Sequence, residues 1–264
     1  MTTETKEQNA AALAGHDGFS LISNEKLLQL YSTMLKCRLL AERAQPHYLH
    51  DALIGHEAAA AGVLLNLLPE DAVAAPSNLI VNFIKGEPLN NLFDHVARPD
   101  FAAQLKLVLS AAQAGKTAKN GKIAVVFSNS DSGPWRDALT QDSVERLPIL
   151  FVFQANPTAE PLHQNLVAGG LPQIAVDGND VVAVYRVATE AITHARKGNG
   201  ATLIECLFDR SEAHDPILKM EAYLTRKGLF REEWKLELAS SFTRKLDATI
   251  EAGTRLLAQT LRRA

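Results

Sequence analysis

Short, uninterrupted apolar runs constrain the fold of this chain more than any other feature. The runs IAVVF at 123–127, ILFVF at 149–153 and TLIECLF at 202–208 show no regular alternation of apolar and polar residues. A strand with one face in water alternates in this way, whereas a strand of a parallel sheet is covered on both faces. The runs therefore predict a parallel sheet with helices packed against both of its sides.

Helical patterns separate and flank these runs, and the connections are long enough for right-handed crossovers. The predicted fold class is α/β, a doubly wound and mostly parallel sheet with helical N- and C-terminal extensions. Two shorter strands are predicted at 72–75 and 173–177. Helices are predicted at 23–44, 55–68, 79–97 with a break near Gly86 and Pro88, 101–115 with its end at Gly115, 135–145 and 180–198, and again after 215.

The overall composition indicates an ordinary soluble globular chain of 264 residues, with 47% hydrophobic and 22% charged residues. We expect a flexible N-terminal arm at 1–22 and a single domain at 23–264. The net charge of −3 gives no basic surplus for nucleic acid, and no apolar run is long enough to predict a membrane span. Cys37 and Cys206 lie in apolar patterns, which predicts buried free thiols and a cytoplasmic location.

Two groups of polar residues are candidate sites. The loop SNSDSGP follows the strand at 123–127, in the position where an open α/β sheet binds ligands. On its own it is a ligand site, a damaged site or a turn. His47, His50 and His56 lie close together in the sequence, but His56 does not share a helical spacing with the other two. A metal site there would require convergence through a loop, and a structural role is the simpler interpretation.

Five blocks of the sequence resemble the alpha subunit of the thiamine-diphosphate-dependent first component of 2-oxoacid dehydrogenase complexes, of the pyruvate, branched-chain 2-oxoacid and acetoin type. They occur in the family's order and cover most of residues 25–230. The resemblance implies the thiamine-diphosphate-binding fold in a shortened and divergent member. The blocks are LLQLYSTMLKCRLLAERA, IGHEAAAAGVLLNLLPEDAV, LPILFVFQAN, GLPQIAVDGNDVVAVYRVATEAITHARKGNGATLIECLF and DPILKMEAYLTRKGLF.

The resemblance also implies where a cofactor would bind. In the family, Gly-Asp-Gly after one strand and Asn-Asn after the next hold Mg²⁺ and the diphosphate. The counterparts here are Ser128, Asn129 and Ser130 and, after 24 intervening residues and an alanine, Asn156. The metal ligands would be Asn129, Asn156 and Asp131, but an amide is a poor substitute for a carboxylate on a hard cation. No cofactor is therefore expected, and thiamine diphosphate with Mg²⁺ only if the site still functions.

Other family positions differ as well. The family's phosphate-binding Tyr-Arg is replaced by Asn78 and Leu79, and the loop that covers the active site is reduced to DRSEAHDPI. His214 in that segment is expected at the start of a helix. The catalytic candidates are Glu57, which matches the glutamate of the family's Gly-Gln-Glu-Ala motif, and His50, which lies one residue out of step with the family's histidine.

Three functions remain open at this stage. Losing a phosphate-binding arginine and a metal carboxylate removes roughly 3–6 kcal/mol, or about a hundred- to ten-thousandfold in affinity. The first expectation is therefore a catalytically impaired scaffold or regulatory partner. The alternatives are an active oxidative decarboxylase subunit that works with a beta subunit, and an enzyme that uses the sheet edge for another ligand. A homodimer is expected, formed through the alanine-rich helix at 57–65.

Overall fold

The computed structural model describes residues 22–44, 54–75, 79–92, 100–129, 133–139, 146–155, 171–209, 211 and 214–261. Nine helices and five strands lie in these residues. The strands are β1 (Ala72–Ala74), β2 (Ala124–Ser128), β3 (Ile149–Ala155), β4 (Gln173–Asp177) and β5 (Thr202–Leu207). The helices are α1 (Asn24–Ala44), α2 (Glu57–Leu64), α3 (Leu79–Ile84), α4 (Leu89–Leu92), α5 (Phe101–Ala118), α6 (Pro134–Leu139), α7 (Val181–Arg196), α8 (Pro216–Arg226) and α9 (Glu232–Leu261).

The five strands form one sheet in the order β1-β2-β3-β5-β4, and every pair of neighbours is parallel. The register aligns Val126 with Phe151 and Phe151 with Leu203, so the three central strands are paired along their lengths. All residues of β2 are buried, as are all but one of β3. The predicted α/β class and mostly parallel sheet are confirmed.

The two faces of the sheet carry separate apolar layers because successive side chains of a strand point in opposite directions. Val125 and Val152 pack with α2 and α7 on one face. Val126 and Phe151 pack with α5 and α6 on the other. The strands lack alternating apolar and polar residues because helices cover both faces of the sheet, as predicted.

The terminal helices form an outer layer around α2 and α7. Tyr31 and Met34 of α1 pack with residues of α8 and with the first part of α9. Phe242 and Leu246 of α9 fill a smaller cluster with α1, α3 and α4. None of the helices described has an apolar stretch long enough to cross a membrane.

The predicted end of α5 at Gly115 is wrong. The helix continues to Ala118, and Lys119 caps it in the left-handed conformation with φ of 50°. Gly115 is buried within the helix, where an added Cβ would lie 3.1 Å from the carbonyl oxygen of Lys122. The glycine therefore allows close approach of the chain before β2, and the sequence pattern for a helix end was misread.

The alanine-rich segment proposed as a dimer surface is buried inside the chain. All residues of α2 are buried, with relative exposures of at most 4% for its apolar side chains. The helix is surrounded by α1, α3 and α7. The small residues of α2 pack against elements of the same chain, so α2 offers no surface to a second copy.

The predicted extents of several elements also change. The helix expected at 55–68 is shorter, and the one expected at 79–97 is divided into α3 and α4, as its glycine and proline suggested. Positions 93–97 and 140–145, also predicted as helix, lie outside the described residues. The N-terminal arm at 1–22 lies outside them as well, except for Ile22. The buried free thiols of Cys37 and Cys206 are confirmed.

Gly62 sets the distance between α2 and α7. A Cβ at this position would lie 2.7 Å from Cγ1 of Val184, closer than real side chains approach. We expect Gly62→Ala to lower the free energy of unfolding by about 1–3 kcal/mol, because overpacking outweighs the gain in helix propensity. Urea unfolding will measure the change.

Gly253→Ala in α9 is the matched control, because nothing lies within 4 Å of an added Cβ there. This substitution should leave stability unchanged or raise it by up to about 1 kcal/mol. Equal effects of the two substitutions would contradict the close-packing role of Gly62.

Candidate functional site

Two of the predicted cofactor residues, Ser128 and Asn129, lie at the carboxyl edge of the sheet. Ser128, the last residue of β2, is paired in register with Phe153 of β3, so both strands end at this edge. Ser128 is buried, and Asn129 next to it is exposed. The other predicted residues, namely Ser130, Asp131, Asn156 and the catalytic candidate His50, lie outside the described residues.

Two groups of the predicted magnesium–diphosphate site are described, both at the end of β2. They are a buried hydroxyl on Ser128 and an exposed amide on Asn129. Mg²⁺ in proteins is held through one or two carboxylates together with phosphate oxygens. Within the part of the chain that the structure describes, no group of three or more His, Cys, Asp or Glu side chains is placed to hold a metal ion.

Glu57 lies at the start of α2 in a buried ion-pair network. Its side chain is 0% exposed and accepts hydrogen bonds from Nε and Nη2 of Arg38 and from the backbone N–H of Gly55 at 2.8 Å. Arg38 also donates from Nη1 to Oδ2 of Asp215 at 2.8 Å. One guanidinium thus joins α1, the first turn of α2 and the start of α8.

The charges in this network stabilise one another. Burial acts to lower the pKa of Arg38, but hydrogen bonds and the charges of Glu57 and Asp215 raise it overall. Burial acts to raise the pKa of Asp215, yet hydrogen bonds from Arg38 and from the backbone of α8 hold it below its usual value. Arg38 and Asp215 are therefore arranged to remain charged.

This geometry assigns Glu57 a clear structural task. Both carboxylate oxygens already accept hydrogen bonds from Arg38 or Gly55, which fixes the side chain against α1. A general base must be able to take up a proton from a substrate within hydrogen-bond reach. The catalytic role of Glu57 stays a prediction, and so does that of His50.

A short, well-connected segment joins β5 to α8. The side chain of Asn179 donates to the carbonyl of Asp209 at 3.1 Å and accepts from its N–H at 2.9 Å. The carboxylate of Asp209 accepts from the N–H of Ser211 and lies 2.9 Å from Nδ1 of His214. His214 thus lies immediately before α8, as predicted, and Asp215 caps that helix.

A cavity of about 270 Å³ opens beside this segment, at the carboxyl ends of β4 and β5. His56 and Phe208 form one wall, with their ring centroids 4.4 Å apart. Gly178 packs against Phe208 so closely that a Cβ would lie 2.9 Å from the ring. The cavity is lined by Ile54, Gly55, His56, Asn179, Phe208, Asp209, Ser211, Asp215 and Pro216.

Two features of this region were not predicted from the sequence. They are the ion pairs of Arg38 and the hydrogen bonds between Asn179 and Asp209. Arg38 belongs to a helix with several other charged residues, and nothing in the local sequence distinguishes it from them. Asn179 precedes Asp180, which caps α7, and Asn179 itself is 3% exposed. The sequence Asp-Gly-Asn-Asp at 177–180 indicates a tight turn, but it does not identify the partner of Asn179.

The charge of Asp215 makes stability depend on pH in a defined direction. Its pKa is lower in the folded protein, so its contribution is present above its unfolded value of about 3.8 and is lost as pH falls through the folded value. We expect Asp215→Asn to cost about 1–2 kcal/mol near neutral pH, since asparagine still caps the helix. Urea unfolding should show the difference from wild type shrinking below pH 4. A constant difference would contradict the assigned shift.

Comparison with known proteins agrees with the fold. A family model described as "Dehydrogenase E1 component" matches residues 100–223. The alpha subunit of acetoin:2,6-dichlorophenolindophenol oxidoreductase from Bacillus subtilis is 27% identical, over 76% of this chain and 75% of the relative. The pyruvate dehydrogenase E1 component subunit alpha of Acholeplasma laidlawii is 25% identical, over 87% of this chain and 84% of the relative.

The parallel α/β sheet and these matches together make the chain similar to dehydrogenase E1 components. Both relatives are alpha subunits, and both matches extend well beyond the segment recognised by the family model. In sequence and in fold the chain is E1 alpha-like.

Proposed function

We propose that this chain is an E1 alpha-like protein with an eroded thiamine diphosphate and Mg²⁺ site, acting as a scaffold or regulatory partner. The observation that carries the proposal is the end of β2, where Ser128 is buried and Asn129 presents an exposed amide. The family's glycines and carboxylate would stand at these positions. The frame around them, including the parallel sheet and its helical layers, is intact.

The pattern of change supports this function. A neutral amide provides no negative charge for Mg²⁺, and a serine side chain narrows the approach of a diphosphate to the backbone. The sequence also lacks the family's phosphate-binding arginine. Together the missing charges correspond to roughly 3–6 kcal/mol of binding free energy.

An active decarboxylase subunit is the second candidate. It is favoured by the extent of the matches, which cover most of both an acetoin oxidoreductase and a pyruvate dehydrogenase alpha subunit. In that case a beta-like subunit would supply part of the site, and Asn129, Asn156 and Asp131 would hold the metal. A beta-like chain is a partner under either function.

Calorimetric titration separates the two candidates. Thiamine diphosphate with Mg²⁺ is added to the purified chain alone and to its mixture with a beta-like chain, and each titration is repeated with excess chelator. We expect no binding at micromolar concentrations in any mixture. Magnesium-dependent micromolar binding in either mixture would overturn the proposal and support the active subunit.

A restored loop tests whether the end of β2 alone accounts for the loss. The variant combines Asn129→Asp with Ser128→Gly and Ser130→Gly. We expect it to remain without micromolar affinity, because the arginine and the covering loop are also absent. Recovery of magnesium-dependent binding would place the whole defect in this one loop.

We further propose a homodimer and a cytoplasmic location. The free, buried thiols support the location, because reducing compartments keep such cysteines unpaired. Burial raises the pKa of Cys206 to about 12, so its thiol stays protonated and inert. Since α2 is buried, any dimer must use another surface. Sedimentation velocity over a range of concentrations tests the dimer directly.

A further inference from the structure

We propose that the outer surface of α8 and α9 is the contact surface of a homodimer, and that it is covered by a second copy of this chain. This surface presupposes the homodimer proposed above, for which the buried helix α2 is not available. It lies within 214–253, where the structure describes every residue. The α8–α9 surface consists of Leu218, Arg226, Lys227, Glu232, Glu233 and Leu236.

The two helices are fastened to each other and to α1. Lys235 of α9 pairs with Glu221 of α8 at 2.9 Å, and Glu221 also accepts a hydrogen bond from the hydroxyl of Tyr31 at 2.8 Å. The rings of Phe230 and Trp234 pack against the ring of Tyr31. A second copy would therefore meet a surface whose backbone is already ordered, which lowers the entropy cost of association.

Two large apolar side chains of this surface remain mostly in solvent. Leu218 on α8 is 57% exposed, and Leu236 on α9 is 61% exposed. Leu218 lies one turn before Glu221, and Leu236 directly follows Lys235, so both leucines lie beside the ion pair that joins the two helices. Covering such side chains removes apolar area from water, which favours association.

Opposite charges stand on either side of the turn between the helices. Cζ of Arg226 and Nζ of Lys227, at the end of α8, lie 5.9 and 5.8 Å from the ring centroid of Tyr223. Glu232 and Glu233 begin α9, and all four charged side chains are exposed. Within the described part of the chain, no carboxylate pairs with Arg226 or Lys227, and no cation pairs with Glu233.

A surface with this arrangement is complementary to itself. In a dimer with two-fold symmetry both copies use the same patch, and each contact between two different residues occurs twice. The basic end of α8 in one copy would face the acidic start of α9 in the other, with the leucines covered between them. Complementary charges of this kind fix the orientation of two surfaces. A second copy carries both signs of charge that this surface requires.

Charge reversal followed by mixing tests the proposal. The acidic variant combines Arg226→Glu with Lys227→Glu, and the basic variant combines Glu232→Lys with Glu233→Lys. Sedimentation velocity at low salt over a range of concentrations follows the full chain. We expect each variant on its own to have a dimer dissociation constant at least about tenfold higher than wild type, because like charges then face each other. An equimolar mixture should form a heterodimer of near wild-type affinity, since opposite charges meet again at both contacts.

Lys106→Glu combined with Lys116→Glu is the matched control, because these exposed lysines belong to α5 on the other face of the sheet. It should leave the dissociation constant unchanged. A wild-type chain that stays monomeric would overturn the homodimer and its surface together. A dimer that neither reversal weakens, that the control weakens equally or that mixing does not restore would overturn the surface alone. Reversals that weaken only the binding of a beta-like chain would assign the surface to that chain and overturn the inference.

Discussion

Replacing Arg38 by methionine will lower the free energy of unfolding by about 3–5 kcal/mol. The substitution keeps an unbranched apolar stem and removes the guanidinium. Glu57, with a side chain that is 0% exposed, then loses its charged partner in the interior. Asp215 loses its ion pair as well. Urea unfolding followed by far-UV circular dichroism will measure the loss.

Arg43→Met is the control, since Arg43 lies in the same helix and pairs with Asp247 on the surface. Both partners are about half exposed, at 48% and 47%. Such a pair contributes at most about 1 kcal/mol. A cost of Arg38→Met no larger than that of Arg43→Met would mean that the buried network does not hold the three helices together.

Replacing Asp71 by alanine will have a similarly large effect, again about 3–5 kcal/mol. Its side chain is 0% exposed and pairs with Arg196 of α7. It also accepts from the backbone N–H groups of Leu68 and Ile123, at 2.7 and 3.1 Å. The truncation leaves these donors without their acceptor at the amino ends of β1 and β2.

Glu251→Ala provides the comparison for Asp71→Ala. Glu251 pairs with Arg255 on the surface of α9, with exposed fractions of 66% and 76%. We expect a change within about 0.5 kcal/mol. Guanidinium chloride unfolding of the two variants under one set of conditions will compare them. Equal costs would contradict a structural role for the Asp71–Arg196 pair.

The sheet and its helical layers could be predicted because they follow from local patterns. Continuous apolar runs required cover on both faces, and the structure has it. Asp180 and Asp215 were recognisable as helix caps because a cap depends on residues two or three positions away. Prediction succeeded where the physical cause lies within a few residues.

The network around the cavity could not be predicted, because its partners are distant in sequence. Arg38 and Asp215 are separated by 177 positions, and Asn179 and Asp209 by 30. A buried polar group needs a hydrogen-bond partner, and that partner can come from any position in the chain. The periodicity of the sequence therefore does not reveal such pairs. The prediction that α5 ends at Gly115 was wrong for a related reason. In the sequence, a glycine that ends a helix cannot be distinguished from a glycine that allows close packing.

The predicted cofactor positions could be derived from the sequence only in part. Their spacing and the strand pattern predicted a location at the carboxyl edge, and the register of β2 and β3 places Ser128 there. The sequence identified Asn129 as an amide in place of a carboxylate. Only the structure shows that Ser128 is buried while Asn129 faces solvent.

Asp215 is shared between the frame of the fold and the wall of the cavity. One of its oxygens accepts from the N–H groups that begin α8, and the other accepts from Arg38 of α1. A change made at this sheet edge therefore also alters the outermost helical layer.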